Sequence, residues 1–96
     1  MSIDEVLGEQ REEILRIAAK HGARNVRVFG SVARGDAGPQ SDIDFLIDVG
    51  PETTPWFPAG LIIDLEALLG RSVDVAMDGA LHEYLRDRIS AEAVPL

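Results

Sequence analysis

This 96-residue chain predicts a small α/β (α+β) domain, a mixed β-sheet with helices packed on it. Two observations carry the expectation. Stretches that alternate with a period of two are interleaved with stretches at helical spacing, in the order helix, strand, turn, strand, helix, strand, helix. The hydrophobic content of 46% in so short a chain suits one packed domain over residues 1–96, with little room for a second.

Ser2 and Glu5 have the spacing of a capping box, in which each side chain satisfies an orphan backbone N–H. Leu7, Ile14, Ile17 and Ala18 then recur on one side of a helix. Gly8 weakens its first turn and moves the firm start toward Glu9. Lys20-His21-Gly22 ends it, with cationic residues near the last carbonyls and a glycine cap. Val26 to Phe29 is a short strand that runs into Gly30-Ser31. A turn or short helix follows through Val32-Ala33-Arg34, and residues 35–40 read as a loop by their breakers. Ser41 to Val49 is the clearest strand. Ile43, Phe45, Ile47 and Val49 share the core face, and Asp42, Asp44, Leu46 and Asp48 share the other. The prolines of residues 50–58 mark a loop, with Trp56-Phe57 folding back over the core or over a pocket. Leu61, Leu65, Leu68 and Leu69 define a helix stopped by Gly70. Ser72 to Met77 alternates again, with Asp74 opposite Val73 and Val75. Asp78 is placed to cap a last helix carrying Leu81, Leu85 and Ile89. Val94-Pro95-Leu96 is a docked tail.

Bulk composition narrows the function. The formal net charge of −8 opposes long-range attraction to a phosphate backbone, so direct nucleic-acid binding is not expected. A nucleotide is a separate matter, because carboxylates that hold Mg²⁺ are neutralised locally. No apolar run reaches the roughly 20 residues needed to cross a bilayer, so no membrane is expected. Neither disulfides nor thiolate metal sites are possible without cysteine, which suits a cytoplasmic protein.

Three features converge on one chemistry. Gly30-Ser31 ends a strand and opens a helical turn, where a phosphate can approach the backbone and meet N–H groups and a hydroxyl. Asp42 and Asp44 lie at i and i+2 on one strand face, spaced to bind hard cations together. Asp74 stands on the polar side of a later strand and joins them if that strand pairs in the same sheet. Phosphoryl and nucleotidyl transfer need such a set, since metal ions bridge the phosphates and offset charge on the leaving group. Other polar residues have plainer readings. Asp48 is a solvated or turn-forming residue, Asp64 and Glu66 belong to the polar side of a helix, and His21 and His82 lack metal-ligand spacing. Trp56 and Phe57 either stack on a base or pack over the core.

The run Gly30-Ser31-Val32-Ala33-Arg34-Gly35, then Ser41-Asp42-Ile43-Asp44, then an isolated Asp74 on a later strand, resembles the DNA polymerase β-type nucleotidyltransferase superfamily. Within it the chain is most similar to the minimal nucleotidyltransferases of bacteria and archaea, over nearly its whole length. The resemblance implies that Gly30 and Ser31 hold a triphosphate and that Asp42, Asp44 and Asp74 bind Mg²⁺ or Mn²⁺. It implies that Asp74 also activates the attacking hydroxyl, and that Arg34 either touches phosphate or braces the loop. Relatives of this size often act as antitoxins, moving AMP from ATP to a tyrosine of a HEPN-type ribonuclease toxin with which they form a hetero-oligomer. Two other functions are compatible with the residues: an antitoxin that acts by binding alone, and a transferase for a small molecule or an RNA end.

Overall fold

The computed structural model describes all residues from Met1 to Leu96. The N-terminal capping box forms: the Glu5 amide donates to Ser2 Oγ at 3.3 Å and the Ser2 amide to Glu5 Oε1 at 3.1 Å. It starts a helix, α1 (Ile3–Leu7), that stops at Gly8. Gly8 adopts φ +53°, a left-handed value that an L side chain rarely takes. The sequence therefore divides into α1, a 3₁₀ turn over Gly8–Gln10, and α2 (Arg11–His21), instead of one helix firm from Glu9. The division keeps Leu7, Ile14 and Ala18 in one core.

Strand β1 (Ala23–Phe29) is longer than the alternation indicates and carries a register shift between Arg24 and Arg27, where Asn25 takes φ +50°. A short helix α3 (Gly30–Arg34) follows directly. Then come β2 (Ile43–Val49), α4 (Ala59–Leu69), β3 (Val73–Met77), α5 (Glu83–Glu92) and the two-residue β4 (Val94–Pro95). The strands form one mixed sheet in the order β3-β2-β1-β4. β2 runs antiparallel to β1 and parallel to β3, and α4 is the crossover that a parallel pair requires. The tail docks as expected: β4 pairs with β1, and the Leu96 amide donates to the Val26 carbonyl at 3.0 Å.

Ile43, Phe45 and Ile47 are buried, and with Val28, Val73, Leu61 and Leu65 they join the residues of α2 in the core. Each such side chain contributes roughly 1.5–3 kcal/mol by leaving water. Two residues of the central strand depart from strict alternation. Val49, at the strand's end, is exposed, while Leu46 on the opposite face is fully buried. Leu46 stands between Arg27 and Ala76 in mid-sheet. The turn at Asp78–Ala80 packs against β2 and α5 against β1. Neither joins the core cluster, so both lie over the second face. Asp78 does not cap α5; His82 does, its Nδ1 accepting from the Tyr84 amide at 3.3 Å. Asp78 instead pairs with Arg86 at 3.0 Å. No helix is long and apolar enough to cross a membrane.

Three residues read as surface polar groups have partners within the chain. His21 is buried at the end of α2, with Nε2 2.7 Å from Asp64 Oδ2 and Nδ1 2.6 Å from Thr54 Oγ1. A carboxylate only accepts, so Nε2 carries the proton it shares with Asp64. Glu66 accepts the Val73 amide at 3.0 Å and tethers α4 to the start of β3. Asp48, likewise, is not merely solvated: it receives Arg27 at 2.7 Å and Asn25 at 3.1 Å. The hydrogen bond from His21 holds the Asp64 carboxyl below its usual range. A folded-state value below the unfolded one means that the carboxylate's stabilisation is present above about pH 3.9 and is lost as pH falls through the lowered folded value. The stability gap between wild type and Asp64→Asn should therefore be widest near neutrality and close in acid. Urea unfolding of both proteins across that range checks it; a gap that does not shrink in acid refutes the coupling.

Candidate functional site

The site assembles at one end of β2. Antiparallel pairing sets Phe29, the last residue of β1, opposite Asp44, and parallel pairing sets Asp74 opposite Asp44 on the other side. Adjacent strands are about 4.8 Å apart, so the two carboxylates rise from neighbouring positions on the second face of the sheet. Asp42 lies just before β2, two residues from Asp44, and is exposed. Gly30 then turns the chain into α3 with φ +75°. A β-carbon added there would meet Asp44 Oδ2 at 2.2 Å, inside any permitted contact. The position therefore demands glycine for its backbone angle and for the space Asp44 fills. Ser31 follows, and no side chain caps the opening turn of α3.

The electrostatics are those of a crowded acidic cluster. Partial burial pushes the Asp44 carboxyl above the usual aspartate range, and Asp74, Asp42 and Glu92 add to the shift, while Arg34 opposes it. As the side chains stand, no three acidic or imidazole groups are gathered tightly enough to grip a metal ion. The donor set itself fits a hard dication: oxygen ligands only, on neighbouring strands, with unrelieved repulsion that a divalent charge would cancel. Arg34 is engaged within the chain. Its Nε lies 3.3 Å from Asp36 Oδ2 and its Nη1 contacts Glu92, so here it braces α3 against the end of α5.

The structure thus brings together Gly30, Ser31, Asp42, Asp44 and Asp74, with Arg34 at the margin. Glu92 was not foreseen. It reaches the site from 58 residues beyond Arg34, through the packing of α5, and no local spacing could announce it. The expected use of Trp56 over core or pocket fails: its side chain is 88% exposed, and Phe57 alone packs against the core.

Comparison with known proteins agrees with this geometry. The nucleotidyltransferase domain model matches residues 9–95. A candidate protein adenylyltransferase of Methanocaldococcus jannaschii is 38% identical over 88 residues, covering 92% of this chain and 95% of that protein. Protein adenylyltransferase MntA of Thermococcus cleftensis is 33% identical, covering 96% of this chain and 90% of that one. The solved structure of a candidate minimal nucleotidyltransferase superposes with a TM-score of 0.86 at 44% identity, over 100% of this chain and 97% of that chain. A toxin–antitoxin structure with AMP-PNP superposes with a TM-score of 0.75 at 17% identity, over 88% of this chain and 69% of that chain, a likeness of fold alone. A family model spanning nearly all of the sequence, on a fold that sets two aspartates beside a glycine-serine turn, places this chain in the nucleotidyltransferase domain family.

Proposed function

We propose that this nucleotidyltransferase moves AMP from ATP to a hydroxyl, that of a tyrosine, on a partner protein, and that it serves as the antitoxin of a HEPN-type ribonuclease in the cytoplasm. The observation that carries the reading is the pairing of Asp44 with Asp74 beside Gly30, whose missing side chain leaves the turn pressed against the Asp44 carboxylate. Relatives named as protein adenylyltransferases, at 38% and 33% identity, support the acceptor class, and a toxin–antitoxin structure with the same fold supports the setting.

In this reading the Gly30-Ser31 turn donates hydrogen bonds to the phosphate oxygens and orients the triphosphate. Asp42, Asp44 and Asp74 would hold Mg²⁺ or Mn²⁺. Bound there, the ion supplies charge neutralisation at the phosphates and lowers the pKa of the acceptor hydroxyl. Asp74 takes the hydroxyl proton. The acceptor oxygen bonds to the α-phosphorus as the bond from that phosphorus to pyrophosphate breaks, so the partner gains AMP and pyrophosphate leaves. Arg34 exchanges an intramolecular ion pair for a phosphate contact, or stays as the brace of α3.

Asp44→Asn should abolish transfer and leave the fold intact, because Asp44 lies off the core face. Mass spectrometry of the partner after incubation with ATP and Mg²⁺ reads this directly; undiminished AMP addition by the folded variant overturns the assignment. Ser31→Ala should weaken ATP binding by about ten- to a hundred-fold, the worth of one hydrogen bond to a charged group. Calorimetry with and without Mg²⁺ checks it, and equal affinity in the two conditions refutes the metal-linked site. Asp74→Asn keeps shape but loses charge. It should still form the complex with the toxin yet fail to protect cells from it, whereas full protection without a mass change would mean neutralisation by binding alone.

A further inference from the structure

Of the three aspartates at the site, Asp42 is the one that no strand holds. Asp44 lies within β2 and Asp74 within β3, whereas Asp42 is exposed and comes before β2 begins. Its place is set by the backbone on either side. Before it, Gly38-Pro39-Gln40-Ser41 forms a β-turn, with proline second, where its fixed φ suits the bend. The Ser41 amide donates to the Gly38 carbonyl at 3.2 Å, and the Gly38 amide donates to Ser41 Oγ at 2.8 Å. After it, the Ile43 amide donates to the Ser72 carbonyl at 3.0 Å.

Arg71 holds the turn from outside. Its Nη1 donates to the Gly38 carbonyl at 3.0 Å and to the Ser41 carbonyl at 3.4 Å, from 33 and 30 residues away. Arginines elsewhere in the chain take carboxylates: Arg27 pairs with Asp48, Arg34 with Glu92 and Arg86 with Asp78. Arg71 takes backbone carbonyls, which its planar fork of donors can hold at a set separation. The consecutive residues Arg71 and Ser72 thus grip the chain just before and just after Asp42, and Asp74 follows two residues later in the same segment.

We propose that Arg71 is a positioning residue of this site, setting Asp42 relative to Asp74 through the Gly38–Ser41 turn. The proposal rests on the reading of Asp42 and Asp74 as metal ligands. With the guanidinium in place, Asp42 departs from a backbone fixed to the start of β3. Without it, the turn keeps only its own two hydrogen bonds, and Pro39 and Gln40 are already exposed. A dication would then have to order this segment as it binds, at a cost in affinity. Charge alone predicts the reverse. Removing a cation from the acidic end of the sheet would tighten the binding of a dication. The direction of the change therefore separates positioning from electrostatics.

The probe is Mn²⁺ added to the nucleotide-free chain, with the free ion read by its electron paramagnetic resonance signal. Arg71→Met keeps the stem and loses the donors; it should weaken Mn²⁺ binding about tenfold, as is common when a group that orients a ligand is removed. Arg71→Lys keeps the charge without the fork and should fall between that variant and wild type. In an Asp42→Asn background, Arg71→Met should change little further, because the carboxylate that it positions is gone. Circular dichroism and thermal midpoints show which variants are folded. If the methionine variant does not fold, the lysine variant carries the test, with weaker binding than wild type as the expected result. Binding as tight as wild type, or tighter, in the folded variants would overturn the proposal, and so would a loss equally large in the Asp42→Asn background. A wild-type chain that binds no Mn²⁺ would overturn the metal site itself and this proposal with it.

Discussion

The close approach of Gly30 to Asp44 marks where the acidic face is built. It exists because Phe29 is paired with Asp44, and that register is held by hydrophobic burial. Ile43, Phe45 and Ile47 are all within 1% of complete burial. A slip of one residue would turn them to the second face and drive Asp44 and Asp48 into the core. An unpaired carboxylate in apolar surroundings costs far more than the few kcal/mol by which such a domain is stable. The core and the site are thus two consequences of one alternation. The side chains that hold the sheet together also aim the carboxylates, and glycine is required where the next turn must pass over them.

Much of this was legible in sequence because it is local. The capping box, the leucine spacing of α4 and its glycine stop depend on neighbours a few positions apart and formed as read, and the strand read from Ser41 to Val49 formed from Ile43 onward. Gly30-Ser31 and the Asp42–Asp44 pair were legible for the same reason. Asp74 required one step more, the pairing of its strand beside β2, which the crossover through α4 supplies. The misses are tertiary. Asp64, Glu66 and Asp48 have the helical or strand positions of solvated residues, yet each finds a donor on another element: His21, the Val73 amide and Arg27. Leu46 reads as lying on a solvated face and is buried, and the turn at Asp78–Ala80, distant in the chain, packs against its strand. Asp78 was read as a helix cap, but Arg86 claims its side chain and leaves the cap to His82.

These partnered carboxylates alter the meaning of the chain's acidity. With 17 Asp and Glu against 9 Lys and Arg, unfavourable self-repulsion is the expected cost. Part of it is avoided by giving carboxylates structural partners: one carboxylate supports the start of β3, another the imidazole at the end of α2. At Asp44 the opposite holds. Asp42, Asp74 and Glu92 surround it with its own sign, and Arg34, already shared between Asp36 and Glu92, offsets little. Three carboxylates without a cationic partner, Asp42, Asp44 and Asp74, therefore share one end of β2, where a dication would bring the compensating charge.

The two faces of the sheet are also held by different forces. On one, α2 and α4 bury leucine and isoleucine against β1 and β2. On the other, α5 has no buried residue at all and is fastened by ion pairs at its two ends, Arg86 with Asp78 and Arg34 with Glu92. Exposed pairs of this kind contribute about 0–1 kcal/mol each, against several for a buried leucine cluster. Local stability must therefore fall from the core face to the acidic face, and α5 can separate from the sheet at far less cost than α4. Near the site it is fastened by the pair of Glu92 with Arg34, the cation of the Gly30–Gly35 turn, and by β4, which follows Ala93 and pairs with Arg27 and Val28 of β1. The Arg34–Glu92 pair thus ties the turn after Gly30 to the last helix, while the register that aims Asp44 rests on the opposite face.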